Sequence, residues 1–291
     1  MERLMAGMAY ISLLLLALLA NSLLLLCFYG ERGLSANDWI LVNLSVANIL
    51  SSVTRNVFAC LTIFGVKGLC QVDLFFLAIA LYLTAYCNCF LSLNQTLQVL
   101  KFKSTWVMRQ TLRLRQHLTL TLVSIWGLCM LPAIHVAAST NFYTNTTSRD
   151  RRTVLGKCTL PIGLVSKVSH IVLGDVIPLT IFLGSSLILI QKLWKHKRQI
   201  QAAGLAQAGW RNAKEKRATK TVLMLLAFYM SVWGCNYALG FVRDSPSVWE
   251  PKVITKTAYA IISALIIIQG SSKMRAKVLK VLQICPPYPS R

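Results

Sequence analysis

Apolar side chains run along this chain in long stretches parted by short basic segments. They lack the narrow stripe of a soluble helix and the strict alternation of a half-buried strand. Seven stretches, 5–28, 39–64, 71–100, 118–140, 170–194, 221–242 and 254–270, are long enough to cross a hydrocarbon layer about 30 Å thick. Lipid offers a backbone no hydrogen bonds, so each stretch is expected to be a helix. The seventh is short, and the preceding residues 251–259 are expected to add a turn. The first exceeds the 7–15 apolar residues typical of a signal peptide and follows Met1, Glu2 and Arg3, a poor basic start, so it reads as a retained helix. The expected fold class is an all-α membrane protein, a seven-transmembrane-helix bundle over 1–270 with a tail over 271–291.

Polar positions inside the apolar runs are the informative exceptions. Ser45, Asn48, Ser52 and Arg55 recur three, four and three residues apart, forming one stripe on the second helix. Such a stripe is expected to face other helices or water, because facing lipid is costly. Asn21 and Asn48 lie at similar depth, so an interhelical amide hydrogen bond between them is expected, worth about 0.6–2 kcal/mol. Arg55 falls about 24 Å up its helix from Trp39, with Asp73 and Asp175 at comparable depth and His170 near the latter in sequence. Three roles are open to it: pairing with one of these acids as a scaffold or switch, direct contact with an acidic ligand, or snorkelling outward. Tyr82, Tyr86, Trp233, Asn236, Tyr237 and Tyr259 are further candidates to line a small-molecule pocket; aromatics in such helices also serve as packing or interface anchors. Pro178 removes a backbone hydrogen bond inside the fifth helix and marks an expected kink or hinge.

Composition agrees with the pattern. Hydrophobic residues make up 55% of the 291 and charged residues 14%, where a soluble domain carries about 25% charge; the mean hydropathy is +0.58. The net charge of +22 invites a nucleic-acid reading, but the cations sit between the apolar runs, where they orient spans and meet anionic lipid, so no nucleic-acid partner is expected. With the amino terminus outside, segments 101–115, 192–220 and 273–291 face the cytoplasm and carry roughly twice the Lys and Arg of the opposite side. The same topology places the glycosylation sequon at Asn145 outside, whereas sequons at Asn43 and Asn94 fall within helices and are expected to be chance matches. Cys70 and Cys158 fall on the outer, oxidising side and are expected to form a disulfide pinning the second outer loop; most of the nine cysteines read as buried apolar residues. In the tail, Met274, Val278, Val281 and Cys285 share one face beside Lys273, Lys277 and Lys280, with Ser271 or Ser272 able to cap and Pro286 to stop a short interfacial helix. Cys285 is a palmitoylation candidate or an unmodified interfacial cysteine.

Two segments resemble a known family. "LSANDWILVNLSVANILSSVTRNVF", from Leu34 to Phe58, resembles the first inner loop and second helix of vomeronasal type-1 receptors, above all their fish counterparts, the class A-related olfactory receptors. "CFLSLNQTLQVLKF", Cys89 to Phe102, resembles that family's third helix, and "ANSLLLL" at Ala20–Leu26 stands where the family usually has Gly-Asn-Ser. The chain lacks Asp-Arg-Tyr after helix three, Cys-Trp-x-Pro in helix six and Asn-Pro-x-x-Tyr in helix seven, departures that separate it from the large rhodopsin-like class. "QGSSKMRAKVLK" also resembles the helix-seven ending of bitter taste receptors, although their Leu-x-x-Ser-Arg of helix two is missing.

The resemblance implies a G-protein-coupled chemosensory receptor of the plasma membrane, binding a small-molecule ligand among the outer helix halves and acting on a heterotrimeric G protein. No cofactor or metal is implied. A bitter taste receptor is the alternative within the same architecture. A small transporter is a distant one, since the helices show no matched halves. An enzyme is not expected: His117, His135, His170 and His196 are scattered and no paired carboxylates or nucleophile motif share a depth.

Overall fold

A computed structural model describes residues 2–29, 33–63, 70–100, 118–138, 141–142, 158–159, 171–202, 209–241 and 246–283. Among these the chain is helical apart from one two-stranded ladder. The helices are α1 (Glu2–Phe28), α2 (Ala36–Ile63), α3 (Cys70–Leu100), α4 (Leu118–Ala138), α5 (Ile177–Ala202), α6 (Gly209–Phe241), α7 (Pro246–Gly270) and α8 (Ser272–Gln283). Strands β1 (Asn141–Phe142) and β2 (Cys158–Thr159) pair antiparallel, with Phe142 opposite Cys158. The result is a helical membrane protein. Five segments, Leu4–Phe28, Ala36–Leu61, Val72–Leu97, Val172–Lys192 and Val253–Gly270, are long and apolar enough to cross a membrane, and α4 and α6 carry the shorter apolar segments Thr119–His135 and Leu223–Asn236.

Local chemistry sets the helix ends. Gly33 adopts φ +85°, which a side chain would resist, and turns the chain between α1 and α2. Ser35 and Asp38 then cap α2 reciprocally: the Ser35 hydroxyl accepts from the Asp38 amide at 3.3 Å, and Asp38 Oδ2 accepts from the Ser35 amide at 2.9 Å. Ahead of α5, residues Val172–Val176 form a π turn in which the Ile177 amide donates to the Val172 carbonyl. Pro178 explains it, having no N–H to give the Gly174 carbonyl, so the bend expected at this proline takes the form of a widened turn. A second interior proline, Pro132 in α4, was not among the expected kinks. The helices also outrun the apolar pattern: α6 starts at Gly209 and α7 at Pro246, because polar residues outside the lipid layer can continue a helix.

Helix α3 is the central element, packed on α2, α4 and α5. Small residues Ala78, Ala80, Ala85 and Cys87 let its neighbours come close, while Ile79, Leu83, Ile40, Leu44, Cys129 and Ile267 fill the core. Leu15, Leu16 and Leu19 of α1 and Leu120, Val123 and Leu131 of α4 stay exposed, as lipid-facing residues should. Helix α8 folds back on α1. Ser271 caps it through the Met274 amide at 3.3 Å, Met274 is buried, and Lys277 Nζ donates to the Cys27 carbonyl at 2.6 Å. That carbonyl lies in the last turn of α1, where no helical donor remains for it.

Candidate functional site

Two polar regions are built into the bundle. In the first, Asn21 and Asn48 tie α1, α2 and α7 together. Asn21 Nδ2 donates to the Ala17 carbonyl at 2.9 Å and the Ala260 carbonyl at 3.0 Å; Asn48 Nδ2 donates to Asn21 Oδ1 at 3.3 Å and Ser263 Oγ at 3.0 Å. Neighbouring seams follow the same chemistry. Asn94 donates to Asn37 Oδ1 at 2.6 Å, and the Trp126 indole donates to Asn43 Oδ1 at 2.9 Å. The Ser92 hydroxyl meets those of Ser185 and Ser186, and Thr96 donates to the Ser185 carbonyl. The asparagines of the two intrahelical sequons thus bridge helices.

The second region surrounds Arg55, whose exposure is 7%. Its Nε donates to Ser51 Oγ at 3.2 Å, one turn back on α2, while Nη2 is buried with no hydrogen-bond partner among the described residues. The guanidinium is therefore inside the bundle and does not snorkel. The acid that acts on it electrostatically is Asp73 of α3, not Asp175, and no hydrogen bond joins the two among the described residues. Asn56 donates to Thr257 Oγ1 at 3.1 Å across to α7, and Asn88 of α3 donates to the Tyr259 hydroxyl at 2.7 Å. Ser52 Oγ, Asn56 Oδ1 and Asn88 Oδ1 are, like Arg55 Nη2, buried without a partner among the described residues.

Tyr259 also links α7 to α6, with Phe228 stacked on it and Tyr229 edge-on at 5.6 Å between centroids. A further group is made by Tyr82, Tyr86, Asp175 and Trp233. The Trp233 indole donates to Asp175 Oδ1 at 3.3 Å, the Tyr86 hydroxyl donates to the Leu173 carbonyl at 2.9 Å, and Asp175 is within electrostatic reach of Tyr82. Asn236 Nδ2 donates to Thr255 Oγ1 at 3.2 Å, joining α6 to α7. Of the expected residues, the structure thus gathers Tyr82, Tyr86 and Asp175 at α3, α5 and α6, and sets Arg55 with Asp73 apart from them. The side chain of Tyr237, both cysteine side chains of the expected Cys70–Cys158 bridge, Asn145 and Cys285 lie outside the described residues. Sequence reasoning passed over Asn56, Asn88 and Thr257. The available signal was an amide or hydroxyl one or two turns from Asn48, Thr84 and Val253 in otherwise apolar runs.

Comparison with known proteins completes the picture. Olfactory receptor class A-like protein 1 of Danio rerio is 28% identical over 284 residues, spanning 91% of this chain and 88% of that protein. Olfactory receptor class A-like protein 4 of the same species is 25% identical over 288 residues, 88% of this chain and 81% of its own. Vomeronasal type-1 receptor 4 of Homo sapiens is 24% identical over 207 residues, 68% of each chain. The model of the vomeronasal organ pheromone receptor family matches residues 5–280. With the match running from the first helix into α8, the chain belongs to that family.

Proposed function

We propose that the protein is a seven-span chemosensory receptor of the plasma membrane for pheromones or odorants, with its amino terminus outside and its carboxyl terminus in the cytoplasm. Membership of a pheromone receptor family carries this reading. The shorter apolar segments of α4 and α6 supply the fourth and sixth spans and bring the five longer ones to seven, that of α6 continuing a helix that starts in polar residues at Gly209. In this reading the small-molecule ligand binds among α3, α5, α6 and α7, with Tyr82, Tyr86 and Asp175 at its centre and Asn236, Tyr237 and Tyr259 as further candidate contacts. The basic segments 101–115 and 192–220 then meet a heterotrimeric G protein, with α8 lying on the inner leaflet. The Cys70–Cys158 bridge, glycosylation at Asn145 and palmitoylation at Cys285 belong to the same reading.

Arg55 and Asp73 act in it as a switch. A desolvated cation whose Nη2 lacks a partner among the described residues raises the energy of the conformation that holds it. An arrangement in which that nitrogen meets the Asp73 carboxylate gains a charge-assisted hydrogen bond. Ligand can shift the balance only by binding the two arrangements unequally. The test is ligand-evoked second messenger in cells bearing the chain and a G protein, with Arg55→Ala and Arg55→Lys compared at equal surface abundance. The switch requires altered basal or maximal signal. A variant that only loses surface abundance would make Arg55 scaffold, and a selective loss of acidic ligands would make it a ligand contact.

A further inference from the structure

The part of the bundle best arranged to recognise a charge lies away from Arg55, on the turn ahead of α5. Asp175 stands in the π turn Val172–Val176. A π turn holds one more residue than an α turn, which re-aims the side chains it carries, and such turns are frequent at functional sites. Around Asp175 stand aromatic groups from two other helices. Trp233 of α6 donates its indole N–H at 3.3 Å; Tyr82 of α3 is close enough to act on it electrostatically; Tyr86, one turn along α3, bonds the Leu173 carbonyl of the same turn at 2.9 Å. Asp175, Tyr86 and Trp233 are half-buried, so these three are reachable with Tyr82 buried behind them, unlike the buried Arg55.

The chemistry of this cluster selects one sign of charge. A carboxylate has roughly four acceptor positions, so a further donor can bind beside the partners it already has. Aromatic faces attract cations, and more strongly where water is thin. An anionic ligand would meet both the carboxylate and the negative faces of the rings. The chain as a whole has nine acidic residues against thirty-one basic ones, so a carboxylate placed among aromatics is the exception to its charge pattern.

Resting on the receptor reading above, we infer that the ligand is an amine: its ammonium pairs with Asp175 and lies against Trp233, Tyr82 and Tyr86. The test uses the full chain in cells with a G-protein reporter. Its probes are 2-phenylethylamine, 2-phenylethanol and phenylacetic acid, with hexylamine, hexanol and hexanoic acid as the aliphatic set, matched in size and differing in charge. Amines are expected to signal, the alcohols to need at least about tenfold more, and the acids to be silent. At equal surface abundance Asp175→Asn should raise the amine concentration needed by about a hundredfold, with Asp175→Glu recovering part of it. Trp233→Phe, which keeps a ring and loses the N–H, should cost about tenfold or less. Signals from acids or alcohols without amines, or an amine response indifferent to Asp175→Asn, would overturn the inference and leave the receptor standing. Silence toward every probe, with the chain at the surface and a reference receptor driving the same reporter, would count against the receptor reading itself. Should Asp175→Asn fail to reach the surface, the probe series on the unaltered chain decides.

Discussion

The two polar regions of the bundle are made from the same residue types and differ in how completely they are bonded. Around Asn48, the polar atoms of Asn21, Asn48 and Ser263 leave none buried without a partner among the described residues, and the bonds reach three helices. One and two turns further along α2, Ser52, Arg55 and Asn56 each keep a buried atom unsatisfied among the described residues, as does Asn88 of α3. Each such orphan costs about 1–3 kcal/mol. A completed network fixes one arrangement of helices, whereas an incomplete one leaves another arrangement something to gain. On the proposed reading, the difference gives scaffold duty to the Asn48 level and movement to the Arg55 level.

Substitutions can break this contrast in order of size. The largest effect is expected at Gly270, the last residue of α7, where an added Cβ would sit 2.6 Å from Thr221 Cγ2 and 2.8 Å from Thr221 Cβ. Gly270→Ala must push α6 from α7, with a loss of about 1–3 kcal/mol in thermal unfolding and raised basal signal. Unchanged stability together with unchanged basal signal would mean that the end of α7 is not in contact with α6 at Thr221. Next comes Asn48→Leu, which strands Asn21 Oδ1 and Ser263; a loss of about 1–2 kcal/mol and fewer receptors at the surface are expected. Arg55→Met should go the other way. It removes a desolvated cation, and Asp73 is only half-buried, so stability should hold or rise by about 1 kcal/mol while the evoked signal falls. A melting temperature several degrees lower would show a scaffold pair instead. The smallest effect belongs to Lys277→Met, which frees the Cys27 carbonyl and loosens α8, by about 0.5–1 kcal/mol; hydrogen exchange confined to α8 would report it.

Much of this was legible in the residues, because lipid makes a simple demand. Apolar runs marked the helices, and the stripe Ser45, Asn48, Ser52 and Arg55 is buried along its length. The Leu34–Phe58 and Cys89–Phe102 segments pointed to the family that the match over residues 5–280 establishes, and that match includes the segment resembling bitter taste receptors. What stayed hidden depends on neighbours. Arg55 had two acids at its depth, and only the packing of α3 makes Asp73 the nearer influence. Lys277 read as one of a basic flank, yet it bonds the end of α1, a partner some 250 residues away. Pro178 signalled a kink, but that the chain would answer it with a π turn carrying Asp175 follows from hydrogen bonding that no periodicity encodes.

The most direct test sets the two regions side by side: surface abundance and evoked signal, per receptor at the surface, for Asn48→Leu and Arg55→Met in the same cells. The contrast predicts that Asn48→Leu lowers abundance while each surviving receptor signals normally, and that Arg55→Met keeps abundance while signal per receptor falls. The reverse pattern, or two variants that behave alike, would contradict the division of scaffold from switch.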